Sequence, residues 1–557
     1  MPDEPPSFDL TSRPWLPVLR ADGSTDVLSL REVFAQARSL VRLVGDLPTQ
    51  EFALMRLLLA IVHDAVDGPQ DLKEWEELWA KGLPLEQIEG YLDRYRDRFD
   101  LLHPDTPFLQ TPSLRTAKNE VSDLDKIVAD VPNGAPFFTM RGRGVDRLDF
   151  AEAARWLVHV HAFDTSGIKS GAVGDPRVKG GKGYPQGVAW AGNLGGVMVA
   201  DDDLHTTLLL NLVAFDTTTL QIDTARDRPV WARDVPTARP MDEVELARRP
   251  YGPRDLYTWP SRRVRLHFDA RGVHGVVLAY GDPLSPRNQH TREPMTAWRR
   301  SPAQERKLKQ AQVYLPRLHD PSRSAWRGLG ALITGRTEGA EQRHEAAEIV
   351  RPRILDWLSR LSVEGPLASD RLVRTRLLGA EYGTQQSVID EVIEDEVAMR
   401  VVLLRERDSL LGTEAVDAVA DAERAVGILG DLAADLARAA GDPAEPRRDN
   451  AHALGFATLD GPFRDWLAAL APGDDPQHAR ARWQKAVRSL IGRLGEDLVQ
   501  SAGEAAWQGR LVTTKEGREV WLSSSRADRL FSARLSKALP AARRLDETAD
   551  DTTEVPA

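Results

Sequence analysis

Beyond about Gly379 the sequence changes character, and that change constrains the fold more than any other feature. Apolar residues recur there at helical spacing over long runs, Ser387 to Leu411, Ala415 to Ala440, Gln477 to Ala502 and Ala527 to Arg544, joined by polar or Pro-containing turns. Helices of that length bury an apolar stripe most easily against one another, so the pattern predicts a C-terminal four-helix bundle. The earlier part mixes a short strand-like run, Trp15 to Leu19, with a buried helix, Gln50 to Asp64, in which Leu54, Leu57, Leu58 and Ile61 fall at helical spacing. The expected fold class is therefore α+β. A mixed N-terminal globular domain takes 1–380, the bundle 381–546, and an acidic, apolar-poor tail over 547–557 is expected to be disordered.

Several function classes drop out on composition. The longest apolar stretch, Leu57 to Val62, stops at His63 and Asp64, far short of the roughly 20 residues a bilayer requires, so no membrane partner is expected. The start, Met1-Pro2-Asp3-Glu4-Pro5-Pro6, is acidic and Pro-rich, the opposite of a secretory leader, which points to a cytoplasmic protein. The absence of Cys removes disulfides, thiol nucleophiles and Cys-based zinc sites. A net charge of −11 argues against a generally basic nucleic-acid binder, but Lys and Arg are bunched, so basic surfaces must be sought locally.

Catalytic constellations are weak. Lys182 in Gly180-Gly181-Lys182-Gly183 lacks the spacing of a phosphate loop. His159 and His161 would lie about 200° apart on a helix, unable to share a metal there, and on one face of a strand. The carboxylates Asp390, Glu391, Glu394, Asp395 and Glu396 read as the solvated face of an amphipathic helix. Two segments lose periodicity and read as long loops, Thr111 to Asp146 and Thr165 to Gly187. The second holds seven glycines and four basic residues, Lys169, Arg177, Lys179 and Lys182, against the single acid Asp175. Glycine allows close backbone approach to a nucleic-acid groove and scattered cations neutralise phosphates; a flexible surface loop explains the composition equally well. Val264 to Leu278 alternates as one half-exposed strand, with Val264, Leu266 and Phe268 inward and Arg263, Arg265 and His267 forming a basic outer face.

Three blocks carry a resemblance to a known family. Phe8-Asp9-Leu10 leads to Trp15-Leu16-Pro17-Val18; Phe99-Asp100-Leu101-Leu102-His103-Pro104 leads to Pro107-Phe108-Leu109-Gln110-Thr111; and Thr206 to Val213 forms a third block. In this order and spacing they resemble the CasA family, the large subunit of the type I-E CRISPR Cascade complex, over essentially the whole chain.

The resemblance implies a non-catalytic subunit without a cofactor; some members of the family carry a Cys cluster that could hold zinc, and as this chain has no Cys, no metal is expected. Its partners would be a guide RNA, double-stranded target DNA, other Cascade subunits and a helicase-nuclease that it helps recruit. Guide pairing would read most of the target while this chain reads a short flanking motif from the minor groove and helps open the duplex, a division known for other RNA-guided effectors. By the same resemblance, the minor-groove loop falls at Thr165, Ser166 and Gly167, followed by Ile168 and Lys169. The wedge that parts the first base pair falls at Thr384, Gln385 and Gln386, a stretch that also reads as a helix N-terminus capped by Thr384. The guide's 5′ end would meet Phe137 and Phe138, in a loop continuing through Arg141 and Arg143, since bases stack on aromatics beside Arg. The family's minor-groove lysine has no counterpart, and Arg287 is the nearest substitute. Two other readings remain open: a scaffold that never touches DNA, and a metal-dependent hydrolase built on the His159/His161 region.

Overall fold

The computed structural model describes residues 6–129, 144–334, 348–513 and 517–542, without the side chain of Arg407. The chain forms two compact units, one of Met1–Arg323, Ala347–Leu367 and Val373–Glu396, the other of Ser324–Ala346, Ala368–Leu372 and Val397–Ala557. It passes between them more than once, where the sequence pattern predicts a single break after residue 380.

The first unit is built around the helix Pro48–Ala65, which is buried on nearly every face. Pro48 starts it, at a position where a missing N–H costs nothing. With Phe52, Leu54, Leu58 and Ile61 inaccessible to solvent, the helix is core material all round rather than amphipathic. Beside it, Leu16–Arg20 pairs antiparallel with both Thr25–Leu28 and Leu40–Leu43. The helix Phe150–Phe163 begins at Asp149, whose side chain accepts from the Glu152 N–H, and packs its buried face, including Trp156, Leu157 and Val160, into the same core.

Two further antiparallel arrangements position the candidate site. Arg262–Asp269 and Gly272–Tyr280 form a hairpin, so the single strand expected over Val264 to Leu278 is two strands joined by a tight turn. Gly272 has φ 127°, a value its position in that turn demands and a side chain would resist. Of the basic outer face, Arg265 and His267 are partly exposed, but Arg263 is buried, donating to Asp282 at 2.6 Å and to the Thr237 carbonyl at 2.6 Å. The second arrangement is a three-stranded sheet in the order Ile389–Arg400, Leu372–Tyr382, Gly196–Ala200. The helix expected over Ser387 to Leu411 is thus corrected: Ile389–Arg400 is the edge strand of this sheet, its carboxylates sit on that strand, and an α-helix begins only at Ser409.

The second unit is a four-helix bundle of Ser409–Ala440, Ala444–Ala469, Pro476–Gln500 and Ser524–Ala538, with the long first helix packed against the other three. Ala444–Ala469 takes the place expected for Ser387 to Leu411. Its buried positions, Ala451, Gly455, Leu459, Phe463 and Leu467, recur every four residues. Gly455 lets Val426 and Leu429 approach closely, where an added Cβ would already press on both. Buried Asp421 is held by Arg480 Nε at 2.8 Å and Gln484 Nε2 at 2.8 Å, and Trp483 Nε1 donates to the Ala418 carbonyl at 2.9 Å. Among the described residues no helix is long and apolar enough to cross a membrane.

Candidate nucleic-acid interface

The helix Phe150–Phe163 ends at Asp164, and what Asp164 holds decides where the glycine-rich loop goes. Its buried carboxylate accepts from Lys169 Nζ at 2.8 Å and from Arg262 Nε. Arg262, itself buried at the start of the hairpin, also donates from Nη2 to the carbonyls of Asp164 (3.1 Å), Thr165 (3.1 Å) and Gly187 (3.0 Å). One guanidinium therefore ties the beginning of the loop to its end. The Tyr280 ring lies 4.8 Å from that guanidinium, centroid to carbon, and its hydroxyl donates to the Gly167 carbonyl at 2.6 Å. Ser166 Oγ accepts from the Gly187 N–H at 3.0 Å. Further out, Arg177 is held by Asp175 and donates to the Gly281 carbonyl at 3.0 Å.

The loop is thus a clamped structure with a small exposed part. Ile168 is 54% exposed, Thr165 and Gly167 are partly exposed, and Ser166 and Lys169 are buried. Lys169 is a correction to the expectation of a lysine facing phosphate: its ammonium is spent on Asp164 inside the protein. Burial pushes the Asp164 carboxyl up, but Lys169 and Arg262 outweigh it and hold the group below the ordinary carboxylate range. Lys169→Ala is accordingly expected to lower thermal stability and leave the salt dependence of DNA binding unchanged. A log–log salt slope shallower by about 1 would put the ammonium on a phosphate instead.

Gln385 and Gln386 sit on the turn that joins Leu372–Tyr382 to Ile389–Arg400. Thr384 does not cap a helix; a single short turn of Thr384–Gln386 follows Gly383 and stops at Ser387. The Gly383 N–H donates to the Val388 carbonyl at 3.1 Å and the Gln386 N–H to the Gly383 carbonyl at 2.8 Å. Both glutamines have φ 56°, a left-handed conformation that costs a residue with a Cβ about 1 kcal/mol or more. Gly383 lies against the Asp390 carboxylate, and a methyl group there would make that exposed side chain swing away. At the base of the hairpin, the Tyr382 hydroxyl donates to the Phe163 carbonyl at 2.6 Å.

Loop and turn meet. The Ser166 N–H donates to the Gln386 carbonyl at 2.7 Å, so two segments about 220 residues apart in sequence form one tip. The side chains exposed on it are Ile168, Thr384, Gln385 and Gln386, with no charge among them. Amides offer both donors and acceptors, which suits base edges and sugars better than phosphates. Arg287 stands apart from this tip: it is exposed on the segment after Tyr280, its guanidinium 3.5 Å from Ser285 Oγ, and the next residue, Asn288, bonds to Tyr314. Phe137, Phe138, Arg141 and Arg143 lie outside the described residues.

His159 and His161 fall on the helix Phe150–Phe163 and go to separate partners. His159 Nε2 is 3.0 Å from Thr49 Oγ1 and His161 Nε2 is 2.8 Å from the Leu109 carbonyl. Burial lowers both imidazoles to about 4, so each is neutral at neutral pH. They do not converge on one point, and among the described residues no group of three His, Asp or Glu could hold a metal ion.

The class of protein that this fold defines is given by comparison: a family model described as CRISPR-associated protein Cse1 matches residues 9–494. The chain belongs to the Cse1 family. Cse1 of Thermobifida fusca is 64% identical, with a TM-score of 0.90 over 96% of this chain and 99% of that one. The CRISPR-associated protein CasA/Cse1 of Thermus thermophilus is 32% identical over 344 residues, which span 58% of this chain and 60% of that relative's length. A chain of a CRISPR RNA-guided surveillance complex shares the fold at 19% identity, with a TM-score of 0.63 over 89% of this chain and 99% of that one.

Proposed function

We propose that the chain is the large, non-catalytic subunit of an RNA-guided CRISPR surveillance complex. In this reading the loop Thr165 to Lys169 enters the minor groove of the flanking motif, and Gln385 and Gln386 hold the first base pair open for guide pairing. Phe137 and Phe138 meet the guide RNA, and the chain helps bring a helicase-nuclease to the opened target. The hydrogen bond from Ser166 N–H to the Gln386 carbonyl is the observation that carries it, because reading a motif and parting the adjacent pair require the two devices side by side. Family membership and the fold shared with a chain of a surveillance complex support the setting.

Gly167 provides the test. A Cβ built there meets nothing within 4 Å, so the backbone at this partly exposed position has room for a side chain to start. In the assembled complex, Gly167→Trp is expected to keep the wild-type melting temperature and to weaken target binding by tenfold or more, roughly the worth of one good groove contact. Unchanged affinity across targets that differ only in their flanking bases would favour a scaffold that does not read DNA.

A further inference from the structure

Away from the tip, the first unit carries an open cleft of about 850 Å³ walled by Arg98, Arg233, Arg239, Arg249 and Arg263 with only Asp234 and Asp282 among its lining acids. In a chain of net charge −11 such a concentration of guanidinium is local and one-sided. Two of the five are neutralised: Arg263 by Asp282 at 2.6 Å, and Arg249 by Asp255 at 2.9 Å and Glu245 at 3.0 Å. Arg233 has one ion-pair contact, with the same Asp255, and the other two have none among the described residues. Arg98 donates only to main-chain carbonyls, of Arg233 at 2.8 Å and of Val230 at 3.2 Å. Arg239 is exposed at the rim, with no partner among the described residues.

Arg233 is the decisive one. Its Nη1 makes an ion pair with Asp255 Oδ1 at 2.9 Å, and Asp255 is shared with Arg249. Its Nε and Nη2 are shut off from solvent with no hydrogen-bond acceptor among the described residues. Three of the five N–H donors of this guanidinium, those on Nε and Nη2, are thus unmatched, which is costly enough to call for an explanation.

We propose that this cleft is an oxyanion site that takes a phosphoryl group, held by Arg98, Arg233 and Arg239. The planar fork of a guanidinium presents paired N–H donors to phosphate oxygens, and Arg98, Arg233 and the exposed Arg239 bring three such groups to one cleft. Burial, with the charge of Arg233 next to it, lowers the basicity of Arg98, and a bound anion relieves that repulsion. The volume fits a ligand of nucleotide size, and Tyr95, Trp231 and Met241 on the wall add apolar surface for whatever carries the phosphate. The phosphoryl group belongs either to a small free molecule or to the end of a nucleic-acid strand.

The experiment is calorimetric titration of the purified full-length chain at fixed ionic strength. The probes are inorganic phosphate, adenosine monophosphate, and one short oligonucleotide carrying a 5′-phosphate or a 5′-hydroxyl. The expected result is saturable binding of at least one phosphorylated probe, weakened several-fold by Arg239→Gln at the exposed rim and by about tenfold or more by Arg233→Gln. Binding of phosphate or the mononucleotide identifies a small-molecule source; binding of the 5′-phosphorylated strand alone identifies a strand end. Should Arg233→Gln fail to fold, Arg239→Gln carries the answer, because nothing in the fold rests on that side chain. Heat no greater than that of a matched chloride titration for every probe overturns the proposal, as does binding that survives Arg239→Gln and Arg233→Gln unchanged.

Discussion

Substituting Gln385 and Gln386 together is expected to slow guide–target pairing on a fully paired target and to leave it unaltered on one whose first few pairs are mismatched open. Separating one base-pair step costs on the order of 1–2 kcal/mol, so losing a wedge that offsets it slows the start of pairing by several-fold to some thirtyfold. The choice of replacement matters, since both residues have φ 56°. Alanine keeps the strain and removes the amide; glycine removes both and relaxes the turn. Gln385→Ala with Gln386→Ala therefore tests the amides, and the double glycine variant tests the stiffness of the turn. Stopped-flow measurement of hybrid formation on the two substrates separates the outcomes. Equal slowing on both would assign the pair to motif contact or folding, and no slowing on either would remove it from duplex opening.

The second large effect is expected at Arg262. This buried side chain bonds to Asp164 and to the carbonyls of Thr165 and Gly187, so Arg262→Met strands several acceptors and leaves the Asp164 carboxylate with Lys169 alone. Breaking such a buried arrangement costs on the order of 3–5 kcal/mol, and Arg262→Lys should rescue little of it, because one ammonium cannot span the same acceptors. Thermal unfolding gives the stability, and amide exchange at Ser166 and Gly187 reports the loop itself. A loop that stays protected in Arg262→Met would show that Tyr280 and the Gln386 carbonyl suffice. The acid limb follows from Asp164. Because its folded carboxyl titrates below the ordinary range, its stabilisation is complete above that range and is lost as pH falls through the lower value. Asp164→Asn should lower stability at neutral pH and remove that part of the acid-induced loss.

Much of the architecture was legible from residue spacing. The buried helix Pro48–Ala65 and the long helices of the bundle announce themselves by apolar recurrence at three and four residues. Two segments misled for identifiable reasons. In Ile389–Arg400 the residues Ile389, Val392, Ile393 and Val397 happen to fall at helical intervals; their β-branching, and the period-two burial of Val397 and Met399, are the strand signals. In Ala444–Ala469 the residues Gly455, Gly461 and Pro462 read as punctuation, although a narrow stripe of small and apolar residues every fourth position was enough to seat the helix. At the candidate site, composition singles out the loop Thr165 to Gly187, while the turn at Gln385 and Gln386 comes from family resemblance alone. Their junction was not legible, because a main-chain hydrogen bond leaves no mark on composition or periodicity. Arg262 was hidden for a related reason: nothing in a local window tells a strand's outward arginine from one turned into the protein to collect distant carbonyls.

The bond from Ser166 to Gln386 is made by main-chain atoms on both sides, and this separates the frame of the tip from its wording. A change of side chain at Thr165, Ile168, Gln385 or Gln386 alters what the tip offers a ligand without deleting the strut that sets loop against turn. Redesign can therefore exchange the exposed residues on a fixed chassis, provided Arg262 keeps its carbonyls.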